Sequence, residues 1–210
     1  MATRSQGKLR ELRAMFAEAG ILVHDLREAG LGVEAPEEDA LEVHETFEEN
    51  ARAKARFFAA RLPGRLVIAD DSGLTVDALG GAPGVRSKRW AGSAATGLAL
   101  DADNNAALLR AMQPHAHRAA GYVCVVVATD GVQEWTARGE CRGRILHAPE
   151  GQGGFGYDPL FHSDELGRSF GEASADEKAR VSHRGRAFRA LLETWRRDAD
   201  RANTGLAGGR

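Results

Sequence analysis

Two adjacent carboxylates, Asp70 and Asp71, follow the apolar run Leu66, Val67 and Ile68 and precede Ser72 and Gly73. A pair of acids at the end of a buried strand is costly to desolvate, so a cation, a metal or a proton must compensate it. Successive side chains of a strand point to opposite faces. If the strand continues through both acids, one of them addresses a given site and the other supports the fold. A plainer reading stays open at this point, in which both acids bind turn amides around Ser72 and Gly73.

The cations that would answer these acids are spread along the chain. Lys8 opens a first helical stretch, Lys54 lies in a second, Lys178 precedes the last, and His183 and Arg184 fall in the first turn of that last one. Helix N-termini favour anions, so basic residues there imply either a bound anion or solvated charges beside a Ser182 cap. The stretch from Gly151 to Pro159 holds a formal GxGxxG at Gly151, Gly153 and Gly156. His147, Pro149 and Glu150 before it and Pro159 after it exclude the strand-then-helix context of a dinucleotide loop. Two readings remain for its aromatics: Phe155 or Tyr157 stacks on a planar base while amides and Asp158 supply hydrogen bonds, or both rings are core residues of an edge strand.

Other templates fail. Residues 5–9 lack the GxxxxGK[ST] pattern of a phosphate loop. His115 and His117 read as a solvated loop pair, and His44 sits among acids without a ligand pattern. Cys124 and Cys141 form neither a CxxC pair nor a zinc spacing and read as reduced thiols.

The elements that must position these groups follow from periodicity. Leu9, Leu12, Phe16 and Ala19 share a helical face ending at Gly20, and Thr46 with Glu49 opens a helix carrying Phe47, Ala51, Phe58 and Leu62. Short strands are predicted over 21–25 and 66–70, with turns after the latter. Others are predicted over 121–129, 133–139 and 142–147. Further helices are predicted over Asp103 to Met112 and from Ser182, the last burying Phe188, Leu191, Leu192 and Trp195. Residues 30–45 are acidic and irregular. Residues 1–197 read as one domain, and 198–210, where the apolar period stops, as a frayed tail.

The chain has 210 residues, 43% hydrophobic and 28% charged, with a formal net charge of −2. These values describe an ordinary soluble globule and give no electrostatic support for nucleic-acid binding. The N-terminus lacks the apolar core of a signal peptide and no run reaches the length of a membrane span, so the expectation is a cytoplasmic protein with no membrane partner.

Six segments in order resemble one family: Thr3 to Lys8, Thr46 to Ala55, Ala69 to Leu74, Gly80 to Val85, Gly153 to Pro159, and Ser182 to Gly185. It is the inosine triphosphate pyrophosphatase family, and the resemblance runs from residue 3 to about residue 197. It implies a two-lobed α/β fold with a long, twisted mixed sheet flanked by helices, an active cleft between the lobes, and a homodimer. The implied activity is hydrolysis of non-canonical purine nucleoside triphosphates at the α-phosphate, with Mg2+ as cofactor. By the same resemblance Asp71 is the catalytic base and a metal ligand, and Glu42 a second metal-associated acid. Thr3, Arg4, Ser5, Gln6, Gly7 and Lys8 form a triphosphate loop, joined by Lys54. Ser72, Phe155, Gly156, Tyr157, Asp158, Lys178, His183 and Arg184 complete the substrate site.

Two departures from that family concern the same loop. Arg4 and Ser5 stand where members usually carry Gly-Asn, which adds a bulky cation and removes an amide donor. Thr3 follows only Met1 and Ala2 in place of several apolar strand residues. The competing reading is a protein that binds purine nucleotides without turnover. The set Glu42, Lys54, Asp71 and Lys178 argues against it, because binding alone needs no metal-centred carboxylate pair.

Overall fold

The computed structural model describes the backbone of residues 1–207 and the side chains up to residue 198, that of Asp39 excepted. Its sheet runs β1 (Val67–Val76), β2 (Ala119–Thr129), β3 (Glu134–Ile145), β4 (Phe161–Ser163) and β5 (Arg168–Ser169), in that spatial order. The helices are α1 (Gln6–Glu18), α2 (Phe47–Ala59), α3 (Gly97–Met112), α4 (Ala175–Val181) and α5 (His183–Ala207).

The α/β class and flanking helices agree with the expectation, but the sheet is not mixed. Every strand pairing among the described residues is antiparallel. The N-terminal residues meet β1 through a single ladder-like bond, from the Ala2 amide to the Ile68 carbonyl at 2.8 Å. No strand forms over 21–25, where the chain instead lends the His24 carbonyl to the Met1 ammonium at 2.6 Å.

β1 is twice the length expected. It pairs with the valine-rich β2 without interruption from Val67 against Thr129 to Val76 against Ala120, and this ladder overrides the turn formers after Asp71. Gly73 lies inside the strand because a Cβ there would stand 2.4 Å from both the Gly84 carbonyl oxygen and Ser87 Oγ. The turn at 83–87 thus rests directly on strand backbone. The two strands predicted around residue 140 are one, β3. Among the helices, Ser5 caps α1 by accepting from the Lys8 amide, and Thr46 caps α2 by accepting from Glu49 at 3.1 Å. α4 has no counterpart in the periodicity analysis, although Ser174 and Glu177 form a capping box at its start. α5 buries Phe188 and Leu191, half-buries Leu192 and Trp195, and continues past Trp195 to Ala207. Of the tail expected over 198–210, residues 208–210 lie outside the described residues.

Alternation along β1 decides what each face holds. Val67 and Ala69 pack with Ala51, Ala55 and Phe58 of α2, while Ile68 packs with Leu12 and Phe16 of α1 and Phe188 and Leu191 of α5. A third cluster, around Leu74, Leu108, Met112, Tyr122, Phe161 and Phe170, joins the C-terminal half of β1 to α3 and β4. Asp71 therefore faces α2, and Asp70 faces α1 and α5.

Asp70 is wholly buried and holds these two helices by charge. Lys8 Nζ of α1 lies 2.9 Å from its Oδ2 and Arg184 Nε of α5 at 3.5 Å, with Ser72 Oγ donating to the same oxygen at 3.3 Å. Burial alone would raise its carboxyl pKa, but Lys8 and Arg184 outweigh it and keep the group well below the usual carboxylate range. Asp70→Asn leaves buried Arg184 and half-buried Lys8 facing a neutral amide. The expected loss of unfolding free energy in a urea titration is about 3–5 kcal/mol; a loss below about 1 kcal/mol would deny Asp70 this structural role.

Candidate active site

The second carboxylate is partnered very differently. α2 presents Asn50 and Lys54, one helical turn apart, to the face of β1 that carries Asp71. Asn50 Nδ2 donates to Asp71 Oδ2 at 3.1 Å, and Lys54 Nζ to Asp71 Oδ1 at 3.3 Å. The same ammonium donates to Glu42 Oε1 at 2.7 Å. Glu42 ends a 3-10 turn, Pro36–Glu42, that leads into α2, and Arg89 Nη2 fixes its carbonyl at 2.7 Å. Two carboxylates from separate segments thus converge on one cation.

Their titration behaviour differs. Burial raises the Asp71 carboxyl above its ordinary value in spite of Lys54 and Lys8. Glu42 is also desolvated, but Lys54 prevails there and draws it down to about 2. Asp71 is the more basic of the pair and the better proton acceptor. Among the described residues no group of three or more acids, histidines or cysteines could hold a metal. A donor set of two carboxylates, completed by water and phosphate oxygens, suits Mg2+.

The remaining cations form a chain across the other side of β1. Lys8 bonds Asp70, and Arg184 reaches Asp70, Ser72 Oγ at 2.9 Å and Glu11 at 2.5 Å. Glu11 also holds Lys178 at 2.7 Å, and Lys178 in turn meets Asp158. Burial would lower Lys178, yet Asp158 and Glu11 raise it and keep it charged. The anion called for by a basic helix start is here supplied in part by the protein itself, through Glu11 and Asp70. His183 next to it carries no charge: burial and Arg184 push it well below the ordinary imidazole value, and its ring stacks on Tyr122 with centroids 4.5 Å apart.

Phe155 roofs this chain. Lys178 Nζ sits 4.7 Å and the Arg184 guanidinium carbon 5.6 Å from its ring centre. A Cβ on Gly7 would lie 2.8 Å from that ring, so the first turn of α1 makes room for it with glycine. The backbone amides of Phe155 and Gly156 donate to Asp158 and Asp101, at 2.7 and 2.9 Å. Tyr157 is a core residue whose hydroxyl donates to the Ser87 carbonyl at 2.8 Å. Thr3 Oγ1 accepts the Ser5 amide at 3.2 Å, and Gln6 is exposed. Arg4 bonds to residues 31–38.

The structure therefore gathers Glu42, Lys54 and Asp71 at one place and Lys8, Ser72, Phe155, Asp158, Lys178, His183 and Arg184 at another, joined across β1. Sequence reasoning missed Asn50, Glu11 and Asp101. Helical spacing was the available signal for the first two: Asn50 lies four residues before Lys54, and Glu11 three after Lys8.

A model of the Ham1 family matches residues 1–194. The dITP/XTP pyrophosphatase of Acidobacterium capsulatum is 46% identical over 198 residues, spanning 91% of this chain and 95% of its own. That of Ralstonia nicotianae is 47% identical over 199 residues, spanning 93% and 95%. The solved Ham1 protein of Staphylococcus aureus superposes with a TM-score of 0.78 at 32% identity, covering 94% of this chain and 97% of its own. Full-length similarity in both sequence and fold, over the same span as the ordered motifs, establishes that the chain belongs to the Ham1 family.

Proposed function

We propose that this chain hydrolyses non-canonical purine nucleoside triphosphates of the inosine and xanthine type to the monophosphate and pyrophosphate, with Mg2+ as cofactor. The observation that carries the reading is the convergence of Glu42 and Asp71 on one cation beside a chain of half-buried Lys8, buried Lys178 and buried Arg184. The names of the relatives point to the same activity.

Charge balance supports a metal requirement. Lys8, Lys54, Lys178 and Arg184 stand among five carboxylates, Glu11, Glu42, Asp70, Asp71 and Asp158. With all nine ionised, the site carries no excess positive charge to receive a triphosphate of about four negative charges. When bound, Mg2+ supplies the missing positive charge and polarises the phosphate oxygens.

Asp71 accepts a proton from the attacking water as its oxygen bonds to the α-phosphorus. The bond from that phosphorus to the bridging oxygen breaks, and pyrophosphate leaves with the electron pair. Lys54 exchanges carboxylate partners for phosphate oxygens, and Lys8 stands ready to do the same from the N-terminal turn of α1. Phe155 offers a face to the base. Its amide and that of Gly156 are committed to Asp158 and Asp101, whereas the buried Arg184 Nε has no hydrogen-bond partner, which makes it the donor best suited to a 6-oxo group. An adenine amino group would leave that buried donor unpaired. A homodimer working in the cytoplasm belongs to the same reading.

Asp71→Asn is expected to lower kcat by about 10²–10⁴-fold while nucleotide binding by calorimetry persists; near-normal turnover would remove Asp71 from the base position. Pyrophosphate release in Mg2+ should be far faster from ITP and XTP than from ATP, and equal rates from both classes would defeat the selectivity argument. Phe155→Ala should raise KM for ITP about tenfold or more, since base stacking on an aromatic ring contributes about 1–3 kcal/mol. An unchanged KM would show that the ring does not stack on the base.

A further inference from the structure

The segment that delivers Glu42 has little core of its own. Among the described residues from Ile21 to Thr46, only Leu26 is buried, and Leu22, Val33 and Val43 are largely exposed. Segments with few buried apolar contacts open readily, so polar ties must hold this one in register. Arg4 provides them. Its Nε donates to Glu38 Oε2 at 3.0 Å and its Nη2 to Glu38 Oε1 at 2.7 Å, a two-pronged pair. Nη1 donates to the carbonyls of Leu31 and Gly32 at 2.8 and 3.3 Å, and Nη2 to that of Val33 at 3.1 Å. All five bonds end on residues 31–38.

Glu38 passes this restraint on. Its Oε1 accepts the Ala35 amide at 3.0 Å and so closes the N-terminal end of the 3-10 turn whose last residue is Glu42. The far end of that turn is held by Arg89 on the Glu42 carbonyl and by Leu41 against the α2 core. With one end freed, the turn can pivot about the other. A ligand carboxylate must stay within about 0.5 Å of its working position.

We propose that Arg4 is a positioning residue for Glu42: by clamping Glu38 and the carbonyls of residues 31–33 it fixes the 3-10 turn that presents the Glu42 carboxylate, and thereby sets how tightly the divalent cation is held. This assigns Arg4 away from the triphosphate contact expected from its place in the loop. The inference rests on the proposed activity only in taking Glu42 as a metal ligand. A lysine could not replace the five-bond fork.

The test compares wild type, Arg4→Ala and Glu38→Gln by three readouts. The first is hydrogen exchange of amides 35–42 in protein free of metal and nucleotide. The second is Mn2+ binding in the presence of pyrophosphate, followed by electron paramagnetic resonance. The third is KM for ITP at saturating Mg2+. Both variants are expected to exchange faster across that stretch and to bind Mn2+ about tenfold more weakly, as loss of an outer partner of a metal ligand typically does. KM at saturating Mg2+ should move less than about threefold. Unchanged exchange and Mn2+ affinity in Arg4→Ala would overturn the proposal. A large KM rise in Arg4→Ala with Glu38→Gln like wild type would also overturn it, in favour of direct phosphate contact. If wild type releases no pyrophosphate from any triphosphate, the activity falls, while exchange and Mn2+ binding still decide the role of Arg4.

Discussion

Two neighbouring carboxylates on one buried strand cannot share an environment, and much of the molecule is arranged around that constraint. Strand alternation sends Asp70 toward α1 and α5 and Asp71 toward α2. Asp70 is given counter-charges from both helices and loses its basicity. Asp71 shares one lysine with Glu42 and keeps a raised pKa. The same two-residue sequence thus provides a structural ion-pair centre and a chemically available base, separated only by the thickness of a strand.

The cationic residues are not a free positive patch. Each is already matched by a protein acid in this structure, so phosphate binding is an exchange of partners and not a simple gain of attraction. Buried cations without such partners would be strongly destabilising. The internal acids keep the site folded, and exchange for phosphate oxygens then depends on what the nucleotide and its metal bring. Arg184 shows the coupling most clearly, since one guanidinium ties Glu11, Asp70 and Ser72 together beneath Phe155.

Much of this was legible in the sequence. Period-two alternation placed Asp70 and Asp71 on opposite faces of the strand, and the motif order pointed to the family, whose resemblance singled out Asp71. The caps at Thr46 and Gly20 also marked helix ends that the structure reproduces within a few residues. The full length of β1 was hidden because Gly73 looks like a turn residue until the close approach of Gly84 is known. A strand over 21–25 was predicted from apolar residues that find no ladder partner. Arg4 was placed in the triphosphate loop by the family resemblance alone. Its partners lie 27 to 34 residues away, a long-range relation that local pattern does not reveal. Glu11 was hidden for the same reason, since its partner Arg184 lies 173 residues away.

The division of labour between the two acids is tested most directly by a crystal structure with Mg2+ and a non-hydrolysable inosine triphosphate. The account predicts the ion on Asp71 and Glu42, Lys54 turned to phosphate, and Asp70 still bonded to Lys8 or Arg184. An ion on Asp70, or Lys54 still bridging Glu42 and Asp71 with the triphosphate seated elsewhere, would contradict it.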